Sequence, residues 1–339
     1  MRDKDNICAC FIEPTGRKQL ISKYNMKKVL VTDYVHGSLM SGFRNLGYHP
    51  VYAPEITLET VHEVISEFHG VVINTKIRTD RALLEKGVQL EFVARLGSGK
   101  DIIDLPAAAA LGIEVITSPE GNRNAVAEHA MGMLLCLANQ ICTGNREVRD
   151  FYWNREKNRG FELEGKTIGI IGFGNTGRAF AGKFENWRTT VLAYDKYKER
   201  YAEDFSFVKE TSLEEIREKA DIISFHVPLT EETRRMVDAG FISKCRRGVI
   251  LLNTSRGKIM DEDALIEGME NGHLGGLCMD VFANEDPNSY TEEEKKRYKR
   301  LFSIDGTVFS PHVAGWTTES KRKIAETIIQ KVKSHFSLQ

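Results

Sequence analysis

Apolar residues along this chain gather in short, often β-branched runs, separated by longer stretches with apolar positions at helical spacing. From Met26 onward the runs 28–32, 49–53, 70–74, 91–95 and 114–116 predict strands. The stretches around 37–46, 58–67, 79–86 and 101–111 predict the helices between them. A long helix is expected over about 123–143. A second alternating set follows, with strands at 167–171, 190–194, 221–225, 248–252 and 275–280 and a last short strand near 307–310. Ile324, Ile328, Ile329 and Val332 predict one amphipathic helix over 317–335. Alternation of strand and helix implies an α/β protein with two doubly wound parallel-sheet domains. A length of 339 residues suits two domains of ordinary size. Residues 1–25 read as an N-terminal extension ahead of the strand that follows Met26.

Charge and composition narrow the partners. The net charge is −1 and the pI about 6.8, so no basic excess favours nucleic acid or an anionic membrane. The most apolar long stretch, 125–142, is interrupted by Glu128, His129 and Gln140 and reads better as a buried interdomain helix than as a membrane span. The six cysteines, at 8, 10, 136, 142, 245 and 278, form neither a metal-ligand spacing nor a dense disulfide framework. Reduced thiols in a cytoplasm and no metal are the expectation. No signal peptide is read at the N-terminus, where the apolar run 7–12 is very short and is followed by Glu13.

Residues 168–180, IGIIGFGNTGRAF, carry glycines 172, 174 and 177 at G-x-G-x-x-G spacing. The spacing alone is weak, but a predicted strand precedes it and a helix over about 175–187 follows. The next strand ends at Asp195, 18 residues beyond Gly177. Gly172 can make the tight turn, Gly174 can let the backbone approach a pyrophosphate, and Gly177 can let helix and strand pack closely. Asp195 can accept hydrogen bonds from an adenosine ribose and would repel a 2′-phosphate, which favours NAD over NADP; Lys196 and Lys198 nearby pull the other way.

Several later strands end in chemistry. Phe225-His-Val-Pro-Leu-Thr230 ends at a proline turn, Leu251-Leu-Asn-Thr-Ser-Arg-Gly257 at an arginine, and 275–287 at the carboxylate of Glu285. Ser310-Pro-His-Val-Ala-Gly-Trp316 sets a histidine beside a proline. Ligands of open parallel sheets bind at such strand ends. With Arg95-Leu-Gly-Ser-Gly-Lys-Asp101, Asn122–His129 and Met279-Asp-Val-Phe282, in this order, the chain from Met26 onward resembles the D-isomer-specific 2-hydroxyacid dehydrogenase family, which includes phosphoglycerate dehydrogenase and glyoxylate/hydroxypyruvate reductase.

That resemblance implies a Rossmann NAD-binding domain, 123–311, inserted into a flavodoxin-like substrate domain made of 26–122 and 312–339. It also implies a homodimer, to which Phe151-Tyr152-Trp153 could contribute, though these aromatics could equally be core. Arg256, Glu285 and His312 take the catalytic positions. A guanidinium fork can bind the substrate carboxylate and polarise the adjacent carbonyl. Imidazole titrates near neutral pH and suits the proton, while a glutamate beside it would orient the ring and keep it protonated to higher pH. The expected cofactor residues are Gly172, Gly174, Asn175, Thr176, Gly177, Asp195, Val227, Pro228, Thr233, Thr254, Ser255, Arg256, Asp280, His312 and Gly315. Asp280 would meet the nicotinamide carboxamide or only cap its strand. Gly97, Ser98 and Gly99 would offer backbone N–H groups to the substrate carboxylate, with Arg256 and His312. His129 and His226 read as structural, and Cys278 as a small buried apolar residue.

The substrate is less legible. Phosphoglycerate dehydrogenases place an arginine where Asn74 stands here. Lys76 and Arg78 are close and could serve an anion or be solvated loop charges. Glyoxylate or hydroxypyruvate is therefore as good a candidate as a phosphorylated acid, and Trp316 could narrow the pocket or staple the last helix. With the chain stopping at Gln339, feedback through an extra C-terminal regulatory domain is not expected. A reading from another class is an NAD(H)-sensing corepressor of the same fold that binds peptides.

Overall fold

The runs richest in Val, Ile and Leu become the central strands of two parallel sheets, because both faces of such a strand are covered by helices. The computed structural model describes residues 26–338; the expected extension, 1–25, lies outside them. The first unit runs β1 (Lys28–Val31), α1 (Gly37–Asn45), β2 (His49–Tyr52), α2 (Leu58–Val64), β3 (Gly70–Ile73), α3 (Arg81–Lys86), β4 (Phe92–Arg95), α4 (Leu105–Ala110) and β5 (Glu114–Thr117). Its sheet order is β2-β1-β3-β4-β5, the flavodoxin-like order, and every pairing is parallel.

Two helices, α5 (Pro119–Ala138) and α6 (Ile141–Arg149), lead to the second unit. It contains β6 (Thr167–Ile171), α7 (Asn175–Ala181), β7 (Thr190–Tyr194), β8 (Val208–Glu210), α8 (Leu213–Lys219), β9 (Ile222–Phe225), α9 (Ala239–Ser243), β10 (Val249–Asn253), α10 (Glu262–Glu270), β11 (Leu274–Met279), α11 (Glu292–Phe302) and β12 (Thr307–Phe309). The order β12-β11-β10-β9-β6-β7-β8 reverses between β6 and β9, as in a Rossmann sheet. The final helix, α12 (Thr318–His335), returns to the first unit: Ala325, Ile328 and Val332 are buried with Val29, Val31, Phe43 and Phe92.

Three expectations change. The helix expected at 123–143 is two helices bent by 61°, because Gln140 takes a left-handed φ of 53° after the α5 C-cap. The stretch at 101–111 turns helical only at Leu105, where the Asp104 side chain caps Ala107 N and Pro106 sits in the first turn. The helix expected over 175–187 ends at Ala181, continues as one 3-10 turn and stops before Asn186, which has φ 74°. The edge strand β8 was not foreseen; it is three residues long and mostly exposed, so it carries little apolar pattern.

The boundary expected at 122/123 falls inside α5, which serves both units. At its start a Cβ on Gly121 would lie 2.6 Å from Ile324 N of α12, so the two backbones touch. Further along, Ala127, Ala130, Leu134 and Leu137 are buried with Ile168, Ile170 and Leu252 of the second sheet. Cys278 is buried in that same core. Among the described residues no single helix is long and apolar enough to cross a membrane.

Candidate active site

The carboxyl ends of both sheets open into one cleft of about 1230 Å³, with α5 as its floor through Pro119, Asn122 and Val126. Asp33, Asn74, Ser98 and Gly99 face it from the first unit. Asn175, Thr176, Val227, Pro228, Thr254, Ser255, Arg256, Asp280, Glu285, His312 and Gly315 face it from the second.

Arg256 follows β10 in a loop braced by Asn253. That buried amide accepts from Ser255 N at 2.9 Å and Ser255 Oγ at 2.8 Å, and donates to Arg256 O at 3.0 Å. The next residue must be glycine: a Cβ on Gly257 would lie 2.0 Å from the Phe282 carbonyl carbon. The guanidinium crosses the cleft to Asp101, with Nε at 3.2 Å and Nη2 at 3.1 Å from Oδ1. Burial raises the Asp101 carboxyl, but the charge and hydrogen bonds of Arg256 outweigh it and hold the group below its ordinary range.

His312 sits in a left-handed backbone conformation, φ 53°, which non-glycine residues rarely adopt. Buried Asp280 supports it. Its backbone carbonyl accepts from His312 N at 2.7 Å. Its carboxylate accepts from Ser310 Oγ at 2.6 Å, Val313 N at 2.9 Å and Ala314 N at 2.9 Å. His129 joins through Ser310 Oγ at 2.8 Å. The His312 ring then meets Glu285, Nδ1 to Oε2 at 2.7 Å. Burial raises the Glu285 carboxyl, but the hydrogen bond and charge of His312 bring it net below the usual range. With Nδ1 engaged, Nε2 is the ring nitrogen free for a reacting group.

The glycine turn is as tight as its spacing suggested. Gly172 has φ 91°, and a Cβ there would lie 2.5 Å from His226 O; one on Gly177 would lie 2.0 Å from Gly172 O. Gly174 is different: a Cβ there meets nothing closer than Lys198 Nζ at 3.9 Å. Open space thus faces this backbone, and no side chain caps the first N–H groups of α7. Asp195 stands beside the turn, accepting from Phe173 N at 2.9 Å and Tyr197 N at 3.1 Å, while Lys198 Nζ donates to Phe173 O at 3.2 Å. Thr254 Oγ1, on the cleft side of β10, is buried without a partner. An open glycine backbone, uncapped amides, a strand-end carboxylate and an orphaned hydroxyl fit a dinucleotide.

Other expected residues are placed differently. Lys76 is exposed, donates to Pro54 O and does not face the cleft. Gly97 is buried, and its N–H is spent on Ser118 Oγ at 2.9 Å, which leaves Ser98 and Gly99 as the loop's cleft-facing members. Thr233 closes its own turn, donating to Pro228 O at 2.6 Å and accepting from Thr230 N at 2.8 Å, and is not on the wall. Phe151 and Trp153 are 95% and 75% exposed rather than core.

Sequence reasoning passed over Arg95, Asp101 and Asp33. Arg95 ends β4 at the cleft, and its Nε is buried without a partner. Burial, then the nearby charge of Arg256, pushes its guanidinium down to about 10. Asp33 lies two residues past β1, and burial raises its carboxyl despite Lys76 nearby. The strand-end rule that picked out Arg256 would have found both.

Residues 131–314 match the family described as D-isomer specific 2-hydroxyacid dehydrogenase, NAD binding domain. A hydroxypyruvate reductase of Thermotoga maritima is 33% identical over 282 residues, 83% of this chain and 89% of that protein. A D-3-phosphoglycerate dehydrogenase of Synechocystis is 29% identical over 320 residues, 94% of this chain but only 56% of that protein. The chain thus spans little more than half the length of that relative. Among solved structures, D-lactate dehydrogenase from Aquifex aeolicus, complexed with NAD and lactic acid, aligns with a TM-score of 0.78 at 26% identity, over 92% of this chain and 96% of that one.

Proposed function

The chain belongs to the D-isomer-specific 2-hydroxyacid dehydrogenase family, and from that premise we propose that it interconverts a D-2-hydroxy acid and its 2-oxo acid with NAD. The observation that carries the reading is one cleft holding a guanidinium, Arg256, and a carboxylate-bound imidazole, His312, beside an open glycine backbone. Bound NAD(H) supplies or accepts the hydride. The chain does the rest. Arg256 and the backbone at Ser98 and Gly99 hold the substrate carboxylate, and the guanidinium polarises the adjacent carbonyl. In the reducing direction His312 Nε2 gives its proton to the carbonyl oxygen; in the oxidising direction it takes the hydroxyl proton. Glu285 holds Nδ1 and so fixes the ring, leaving Nε2 toward the substrate. Asn175, Thr176 and Gly174 would hold the pyrophosphate, Asp195 the ribose, and Thr254 the nicotinamide side; Asp280 borders that side but first fastens the loop carrying His312.

At the Asn74–Lys76 loop an unphosphorylated substrate fits better than a phosphorylated one; the cations on the cleft wall besides Arg256 are Arg95, Lys100 and Lys321. Asn74 brings no charge to the cleft, and the Lys76 ammonium is bound to Pro54 O. We assign glyoxylate or hydroxypyruvate, in a cytoplasmic homodimer. The dimer rests on the exposed apolar face of Ile141, Val148, Phe151, Tyr152 and Trp153.

The test is NADH oxidation with glyoxylate, hydroxypyruvate, pyruvate, 2-oxoglutarate and phosphohydroxypyruvate, with His312→Ala alongside. Turnover of an unphosphorylated acid that collapses in the variant supports the reading. A preference for phosphohydroxypyruvate by orders of magnitude overturns the substrate assignment. NADH binding without turnover of any acid overturns the enzyme.

A further inference from the structure

Cys136 and Cys142 serve neither the cleft nor the fold's apolar core, yet their sulfurs lie 2.9 Å apart. On an unbroken helix residues six apart are separated by about 9 Å along the axis and point about 120° apart. Here α5 ends before the left-handed Gln140, and α6 sets off at 61°, which brings the two thiols together. Neither sulfur is bonded. Their separation exceeds a covalent S–S bond of about 2.05 Å by less than 1 Å, so small side-chain rotations suffice to close it. The two thiols also differ in access: Cys142 is exposed and Cys136 half-buried. By contrast Cys245 and Cys278 are buried and, among the described residues, have no thiol beside them at such a distance.

We propose that Cys136 and Cys142 form a reversible dithiol site that reacts with low-molecular-weight disulfides and closes to an intramolecular disulfide across the α5–α6 bend. The Cys142 thiolate attacks one sulfur of the external disulfide. That S–S bond breaks, and one thiolate leaves and takes up a proton. Burial holds the Cys136 thiol protonated, so it gives up its proton as it attacks Cys142 Sγ in the mixed disulfide; the Cys136–Cys142 bond forms, and the second external thiolate leaves and takes up that proton. Overall two protein thiols are oxidised and one external disulfide is reduced to two thiols. The bridge pins α6 to α5 at the start of the segment that presents Phe151, Tyr152 and Trp153. Transient, sensing disulfides of this kind are compatible with a reducing compartment.

The test uses the native full-length chain and glutathione disulfide, followed by iodoacetamide and trypsin. Both cysteines fall in one tryptic peptide, 124–146. The expected product is that peptide lighter by two hydrogen atoms and unalkylated, formed at least tenfold faster than any loss of the Cys245 or Cys278 thiols and reversed by dithiothreitol. Cys136→Ser should stop at a glutathione adduct on Cys142. Cys142→Ser should leave Cys136 at least tenfold less reactive. A wild-type protein that halts at the Cys142 adduct, fails to react, or bridges only in denaturant overturns the proposal.

Discussion

Gly99 and Arg256, from different sheets, occupy each other's space: a Cβ built on Gly99 would lie 1.7 Å from Arg256 Nη2. The guanidinium rests directly on the glycine's α-carbon on its way to Asp101. Gly99→Ala must therefore displace Arg256, because the guanidinium end is the part that can move. The expected result is a fall in kcat/KM for the 2-oxo acid of at least about tenfold, or about 1.4 kcal/mol of transition-state stabilisation. NADH affinity, read by fluorescence titration, should be unchanged.

Arg256→Lys keeps the charge and loses the planar fork. A lysine offers a point charge where two parallel donors are needed. If the fork polarises the carbonyl, kcat/KM should drop about 10²–10³-fold, comparable to removing one oxyanion donor. A loss confined to KM would mean that the side chain only binds substrate.

The Glu285–His312 pair sets a pH signature. Glu285 lies net below its ordinary value of 4.5, so its carboxylate is still charged at pH 5. The pairing is fully present above 4.5 and is lost as pH falls through the lower folded value. Glu285→Gln cannot lose a charge, so the fall in stability between pH 5 and pH 3 that the pair contributes should be smaller in the variant than in the wild type, read by urea unfolding. An equal fall in both would leave Glu285 a packing role alone.

His226, on the wall of the cleft, predicts an acid sensitivity of folding. Its Nε2 contacts Ser224 Oγ at 2.8 Å and its Nδ1 is buried without a partner. Burial pushes its pKa down from 6.5 to about 3. Between these values the unfolded chain binds a proton that the folded one refuses, so stability falls as pH drops below 6.5. The slope is at most about 1.4 kcal/mol per pH unit. His226→Gln should flatten it in urea unfolding followed from pH 7 to pH 4.

Gly121→Val tests the helix contact that joins the C-terminal segment to the first unit. The added atoms would press on the Ile324 backbone, which has no rotamer to escape into. A loss of about 1–3 kcal/mol is expected from overpacking, seen as an earlier first transition in thermal unfolding.

Much of this protein is written locally. Strands such as Gly70–Ile73 and Val249–Asn253, buried at every position, were recognisable because doubly covered parallel strands need uninterrupted apolar runs. The glycine turn was recognisable because a φ of 91° and a helix packed on the turn leave no room for other residues. Arg256, Glu285 and His312 could be named from their places at strand ends. What the sequence could not show was direction. Lys76 turns to Pro54, the Gly97 N–H is consumed by Ser118, and Thr233 closes its own turn. Nor could it show that Arg256 reaches a carboxylate 155 residues away. The break that brings Cys136 to Cys142 depends on one backbone torsion at Gln140, where no glycine or proline marks the chain. Periodicity and steric exclusion act over a few residues and so are legible in order. Side-chain aim, shared helices and partners from the opposite sheet arise only when the two sheets face each other and compete for the same space.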